Sequence, residues 1–264
     1  MEPFAIETQD ARIVGQRRHG AMRDPLVLVH GFGGSRQDWR PVIEALPPEW
    51  PIIIYDQRGF GESTAEAGAP FSHAEDLLAV LRALIVERAD LCGVSLGGAT
   101  VLGAALRAPD RVRRVALVSP MLAAWSWSAE WIELWKAIGR KARAGDMDGA
   151  RRLWWAHPLF ESARLTGHGD ELRRAIEAFP GEQWIRDDQR DELPMVEHLH
   201  EIAHPTLLLT GAHDLPDFQL MADLITGSVA HLRRIDYQDA GHMLPLEKPG
   251  QVARDLTSFL ASSG

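Results

Sequence analysis

Six short stretches of the chain are dominated by apolar residues and bounded by turn residues: Pro25–His30, Pro51–Asp56, Ala89–Val94, Val112–Ser119, Pro205–Gly211 and Leu232–Tyr237. Runs of this length predict strands, and continuous runs such as Leu26–Val29 predict strands covered on both faces. The first 20 residues read as two further short strands joined by a turn at Thr8–Asp10. Between the runs the apolar spacing becomes helical. Leu77, Leu81, Leu84 and Ile85 share one face, with Ser72 placed to cap it. Leu96 to Arg107 is rich in Gly and Ala, which lets a helix pack closely on a sheet. Val252, Leu256, Phe259 and Leu260 mark a last helix. Strands alternating with helices predict an α/β fold around a mostly parallel sheet.

The alternation stops between Met121 and Ala203. No strand pattern occurs there, while Trp131, Leu134, Trp135 and Ile138, and then Leu172, Ala175, Ile176 and Phe179, repeat at helical spacing. This predicts a helical insertion between two strands. It carries seven of the nine tryptophans: Trp125, Trp127, Trp131, Trp135, Trp154, Trp155 and Trp184. Some of these pack the insertion onto the main body. Trp125, Trp131, Trp135 and Trp154 are the candidates for lining a pocket beneath a lid.

Composition narrows the class. Of 264 residues, 45% are hydrophobic and 25% charged, as in an ordinary globular protein. The net charge of −9 comes without any basic block, which argues against nucleic acid as a partner. The one cysteine, Cys92, forms no internal disulfide and fits a reducing, cytoplasmic setting. The N-terminal residues lack the pattern of a signal peptide, and no apolar run approaches the roughly 20 residues of a membrane span.

The chemistry concentrates at a few points. Gly93-Val94-Ser95-Leu96-Gly97 matches G-x-S-x-G where a strand gives way to a small-residue helix, the setting that lifts a serine hydroxyl above a sheet. Ser95 is therefore the candidate nucleophile. A serine hydroxyl needs a base, and His242, in Asp239-Ala-Gly-His242 after the last predicted strand, is placed to be it. His157, His168, His73 and His231 lack such a setting and are expected to be solvated. The base needs a carboxylate to hold its tautomer. Asp214 follows the strand before it and gives the order Ser, Asp, His. Asp217 is the nearest rival, and Asp239 is expected to shape its own turn. The N–H groups of Leu96 and Phe32, the latter in the loop His30-Gly-Phe-Gly-Gly34, are the expected oxyanion donors, with His30 shaping that loop. His198, His200 and His204 lie close in sequence but lack a zinc-binding pattern, so no metal is expected.

These residues carry a resemblance. His30-Gly-Phe-Gly-Gly34 with Trp39, Asp56-Gln-Arg-Gly-Phe-Gly-Glu-Ser63, Gly93-Val-Ser-Leu-Gly-Gly98 and Ala240-Gly-His242 are similar to the motifs of the α/β-hydrolase superfamily over nearly the whole chain. The resemblance implies a core sheet of eight strands flanked by helices, with a helical cap inserted after the sixth. The core would be residues 1–120 and 204–264, and the cap 121–203. It makes Asp56 a loop organiser. It implies a serine hydrolase acting on a small ester, thioester or lactone without a cofactor, and the seven clustered tryptophans favour a substrate of apolar or aromatic character. Two alternatives stay open. Gly97–Thr100 resembles hydrolases that split C–C bonds of aromatic ring-fission products, although Val94 stands where those carry Asn. A ligand-binding receptor on the same fold, with slow turnover, is the other.

Overall fold

The computed structural model describes residues 1–8, 10–20, 24–186, 188–190 and 194–261. Among the described residues nine strands form one sheet: β1 (Glu2–Glu7), β2 (Ala11–Arg18), β3 (Leu26–Val29), β4 (Ile52–Tyr55), β5 (Thr64–Ala65), β6 (Ala89–Val94), β7 (Val112–Val118), β8 (Thr206–Gly211) and β9 (Leu232–Tyr237). Their order is β1-β2-β4-β3-β6-β7-β8-β9, with β5 paired to β2. β2 runs antiparallel to β1, β4 and β5, and every other pairing is parallel. The β1–β2 turn begins with the N–H of Thr8 donating to Ala11 O at 2.8 Å. Gln9, in the middle of that expected turn, lies outside the described residues. The strand beyond the expected eight is β5, two exposed residues with no apolar run to announce it.

The apolar runs are explained by the two faces they serve. Along β3, Val27 and Val29 join one core cluster while Leu26 and Leu28 join the other. The same alternation separates Ile53 and Tyr55 from Ile52 and Ile54, and Val115 and Leu117 from Ala116 and Val118. Side chains of a strand alternate in direction, so a strand covered on both sides is apolar at every position. Parallel pairs need crossover connections, and helices supply them. Arg40–Ala45 (α1) lies under one face, and His73–Ala83 (α2) and Leu96–Arg107 (α3) under the other.

Helix α2 starts where expected: the Ser72 hydroxyl accepts the Glu75 N–H at 3.3 Å. It ends earlier than the apolar spacing suggested. The Val86 N–H reaches back to Leu81 O at 2.9 Å, and Ile85 takes a left-handed φ of 55° and is 89% exposed. This is the usual way to close a helix, but with isoleucine where glycine is preferred. Ile85 therefore does not belong to the buried face.

Between β7 and β8 the chain is helical: α4 (Ala129–Arg143), α5 (Met147–Trp155), α6 (Glu161–Leu165), α7 (Gly169–Ala178), α8 (Glu182–Ile185) and α9 (Met195–His198). With β5 set aside, this segment follows the sixth strand. The chain then completes the sheet with α10 (Pro216–Ser228) between β8 and β9, and closes with α11 (Leu244–Glu247) and α12 (Pro249–Ala261). Among the described residues no helix is long and apolar enough to cross a membrane.

Candidate active site

Ser95 sits between β6 and α3 with φ 53° and ψ −118°, a strained conformation for a residue with a side chain. Its N–H donates to Val118 O at 3.1 Å, and its carbonyl accepts from Gly98 and Met121, each at 2.9 Å. The turn is tight enough to need Gly97: a Cβ there would lie 2.3 Å from Val29 O and 2.6 Å from His30 O, both backbone atoms. Ser95 is half-buried, while its neighbours in the elbow are buried. Leu96 opens α3, so its N–H has no acceptor within the helix.

His242 follows β9 and is 2% exposed. Its Nδ1 lies 2.8 Å from Oδ2 of Asp214, which follows β8, and both side chains are buried. The other oxygen of Asp214 accepts the Leu215 N–H at 2.7 Å. Nδ1 therefore carries the proton and Nε2 keeps a free lone pair, the tautomer a base requires. Nε2 is buried without a partner, and the Phe218 ring lies 4.3 Å from the imidazole between centroids. Ser95 and His242 line the same cavity. Asp217, the rival carboxylate, points elsewhere. It accepts from the Ser128 hydroxyl at 2.6 Å, the Ser128 N–H at 3.2 Å and Trp125 Nε1 at 3.1 Å, and so ties the start of the helical segment to α10.

The loop carrying Phe32 is held by His30, the residue expected to shape it, together with Gln57 and Thr100, to which the sequence assigned no such role. His30 Nε2 accepts the Gln57 N–H at 2.9 Å, and its Nδ1 donates to Gly31 O at 2.8 Å. Burial lowers the pKa of His30, keeping it neutral in this role. Gln57 Nε2 donates to His30 O at 2.8 Å, and its Oε1 accepts from Thr100 on α3 at 2.7 Å. A bridge thus runs from the Phe32 loop to the helix that begins beside Ser95. A Cβ on Gly31 would lie 3.2 Å from Ser95 Cβ, so loop and elbow touch. Asp56 organises its own turn, accepting N–H groups from Arg36 at 2.7 Å and Glu62 at 2.8 Å and pairing with the Arg36 guanidinium.

A cavity of about 470 Å³ opens over these residues. Phe32, Ser95, Leu96 and His242 line it, with Trp131, Trp135 and Trp154 from the helical segment. Trp127 lines it as well, although it was not singled out. Trp127, Trp131 and Trp135, four residues apart, lie nearly parallel, with centroids 4.2 and 6.3 Å apart and interplanar angles of 13° and 10°. Trp125 is not among the lining residues, because Asp217 holds its indole N–H.

Two histidines expected in solvent are buried. His157 is 1% exposed and packs edge-on against Trp131 at 5.0 Å. Its Nδ1 accepts the Leu159 N–H at 3.2 Å. Burial, with His242 and Arg164 nearby, lowers its pKa to about 4. His73, at the start of α2, lines the cavity between Phe71 and Phe60, and burial with His30 and Arg58 nearby lowers it to about 3. Neither position shows a pattern from which burial could be read, because the elements that cover them are distant in sequence. His231 is exposed and His168 half-exposed.

The histidines near the second end of the helical segment have other partners. His198 Nδ1 meets Glu201 at 2.6 Å, and His204 Nε2 meets Pro109 O at 3.0 Å. Among the described residues no group of three or more His, Cys, Asp or Glu is placed to hold a metal. Cys92 is buried in β6, and burial pushes its thiol pKa up.

A covered, mostly parallel sheet, a serine at a strained strand-to-helix turn and a histidine–carboxylate pair beside one cavity define the α/β-hydrolase class. The family model for the alpha/beta hydrolase fold matches residues 24–152. The chain is 31% identical over 258 residues to a putative carbamate hydrolase, RutD, of Caulobacter segnis, covering 91% of this chain and 92% of that protein. The chain belongs to the alpha/beta hydrolase family. Among solved structures, a hydrolase from Pseudomonas aeruginosa superposes with a TM-score of 0.84 at 27% identity, covering 98% of each chain. Carboxylesterase CesB (YbfK) from Bacillus subtilis superposes with a TM-score of 0.80 at 27% identity, covering all of this chain and 92% of that one.

Proposed function

We propose that this protein is a serine hydrolase that cleaves a small ester or lactone through an acyl-enzyme, with Ser95 as nucleophile, His242 as base and Asp214 as the group that orients it. The observation that carries the reading is the 2.8 Å bond from His242 Nδ1 to Asp214 Oδ2, with the free Nε2 beside the cavity that Ser95 lines. That tautomer lets His242 take the Ser95 proton as the hydroxyl oxygen attacks the substrate carbonyl. The N–H groups of Leu96 and Phe32 stabilise the oxyanion that forms. His242 then returns the proton to the leaving group. Water, deprotonated by His242, attacks the acyl carbon, and collapse of the second oxyanion frees the acid and restores Ser95.

The segment between β7 and β8 acts as a cap, residues 121–203 over a core of 1–120 and 204–264. Its tryptophans form an apolar wall that favours a planar or aromatic substrate. The similarity to carboxylesterase CesB supports ester cleavage at 27% identity. The carbamate-hydrolase relative fits the same attack on an acyl carbon.

Fluorophosphonate labelling tests the nucleophile. The full chain is expected to be labelled and to turn over p-nitrophenyl esters, and Ser95→Ala to lose both properties. A Ser95→Ala protein labelled at the rate of the parent would refute the assignment.

A further inference from the structure

Glu247 ends α11, five residues after His242, and is 7% exposed. Among the described residues no cation pairs with its carboxylate. Three hydrogen-bond donors hold it instead. The Gly241 N–H donates to Oε2 at 3.0 Å and the Met243 N–H to Oε1 at 3.1 Å. The third donor comes from the helical segment: the Ser162 hydroxyl on α6 reaches Oε2 at 2.5 Å. One carboxylate therefore grips the amides on both sides of His242 and a cap side chain together. The contact between loop and cap is tight as well. A Cβ on Gly241 would lie 2.6 Å from Ser162 Cβ, so only glycine lets α6 come this close to the histidine loop.

We propose that Glu247 is a positioning residue for His242, and that through Ser162 it makes correct seating of the cap a condition for an aligned base. The proposal rests on His242 serving as the base of Ser95. A buried carboxylate is costly unless its oxygens are satisfied, and bonds from neutral donors to an ionised acceptor are stronger than neutral ones. The loop thus has one favoured arrangement, in which all three donors converge. Asp214 fixes the ring at Nδ1, and Glu247 fixes the backbone from which that ring projects. Met243, Pro245 and Leu246, within the same clamp, also line the cavity, so the clamp sets part of its wall. Displacing a catalytic group by about 1 Å costs on the order of a hundredfold in rate, so a loosened clamp acts on turnover before it acts on binding. Nothing in the spacing of Ser162 and Glu247 along the chain announces this contact.

The test uses the full chain with Glu247→Gln, Ser162→Ala and the double variant. Steady-state constants are measured on a p-nitrophenyl ester, with the rate of fluorophosphonate labelling and Tm alongside. Gln keeps the size of the side chain but turns an NH2 toward donors that need an acceptor. Glu247→Gln is expected to lower kcat roughly 30-fold while KM changes less than about twofold, and to slow labelling by the same factor. Ser162→Ala is expected to lower kcat about threefold, near the worth of one hydrogen bond. The double variant is expected to be no slower than Glu247→Gln, because both changes break one network. A Glu247→Gln protein of parental Tm with parental kcat overturns the proposal, as does a loss carried by KM. If Glu247→Gln does not fold, a parental labelling rate in Ser162→Ala overturns the coupling. Retained labelling of Ser95→Ala overturns the nucleophile assignment and the clamp with it. Loss of labelling there, with parental kcat in Glu247→Gln, overturns the clamp alone.

Discussion

Asp214 shows how one atom decides what a residue can do. Its Oδ1 is committed to the Leu215 N–H, so Oδ2 faces His242. In Asp214→Asn the amide oxygen keeps the Leu215 bond and the NH2 turns toward Nδ1. The imidazole must then accept at Nδ1 and carry its proton on Nε2, where it can no longer take one from Ser95. The expected outcome is a kcat lower by roughly a thousandfold or more with KM little changed. Steady-state kinetics check it, and a loss under tenfold would argue against Asp214 as the orienting acid. The assignment of Ser95, Asp214 and His242 came from motif and chain order, because each follows a predicted strand. The burial of His73 and His157 did not, because what surrounds them comes from elements far along the chain.

At the scale of elements, α4 shows one periodic pattern serving two surfaces, the core and the cavity. Helical spacing of Trp131, Leu134, Trp135 and Ile138 predicts an amphipathic helix, and α4 forms there. Ile138 is buried, while Trp131 and Trp135 stay half-buried and line the cavity. Trp131 sits within the stack, with Trp127 on one side, Trp135 on the other and His157 at its edge. Trp131→Ala is expected to raise KM for p-nitrophenyl benzoate by about tenfold, the worth of a lost aromatic contact and its buried area, and KM for p-nitrophenyl acetate by much less. Equal changes in the two constants would remove the role assigned to the indole wall. The end of α2 departs from the helical period: Ile85 fits that period, but the reversal that ejects it depends on the backbone bond from Val86 to Leu81.

For the whole molecule, buried titratable groups predict how stability follows pH. His73 and His157 ionise near 3 and 4 in the folded protein, against 6.5 ordinarily, because burial disfavours their charge. Below pH 6.5 the unfolded chain takes up protons that the folded chain refuses, so stability falls as the pH drops toward 4. At about 1.4 kcal/mol per pH unit, His73 alone contributes roughly 2 kcal/mol of this loss at pH 5. Asp38 works against it. Burial, with Asp56 and Glu171 nearby, raises its pKa from 3.8 to about 7, so the folded form keeps a proton that the unfolded chain releases. Two histidines outweigh the one carboxyl, and Tm is expected to fall between pH 7 and pH 5. His73→Met, which removes the titrating ring between Phe71 and Phe60, is expected to shrink that fall. Thermal melts of both proteins at the two pH values test this, and an equal fall in each would refute it.

Apart from β5, the chain alone determined the succession of strands, the helical interruption between Met121 and Ala203, and the residues at the ends of β6, β8 and β9. Each of these follows from local periodicity or from a turn that only certain residues permit. Tertiary structure decided which tryptophans face the cavity, that Asp217 and Glu247 hold the helical segment, and that His157 and His73 lose their water. Those outcomes depend on which surfaces meet when distant segments close over one sheet edge, and no spacing along the chain encodes a meeting of that kind.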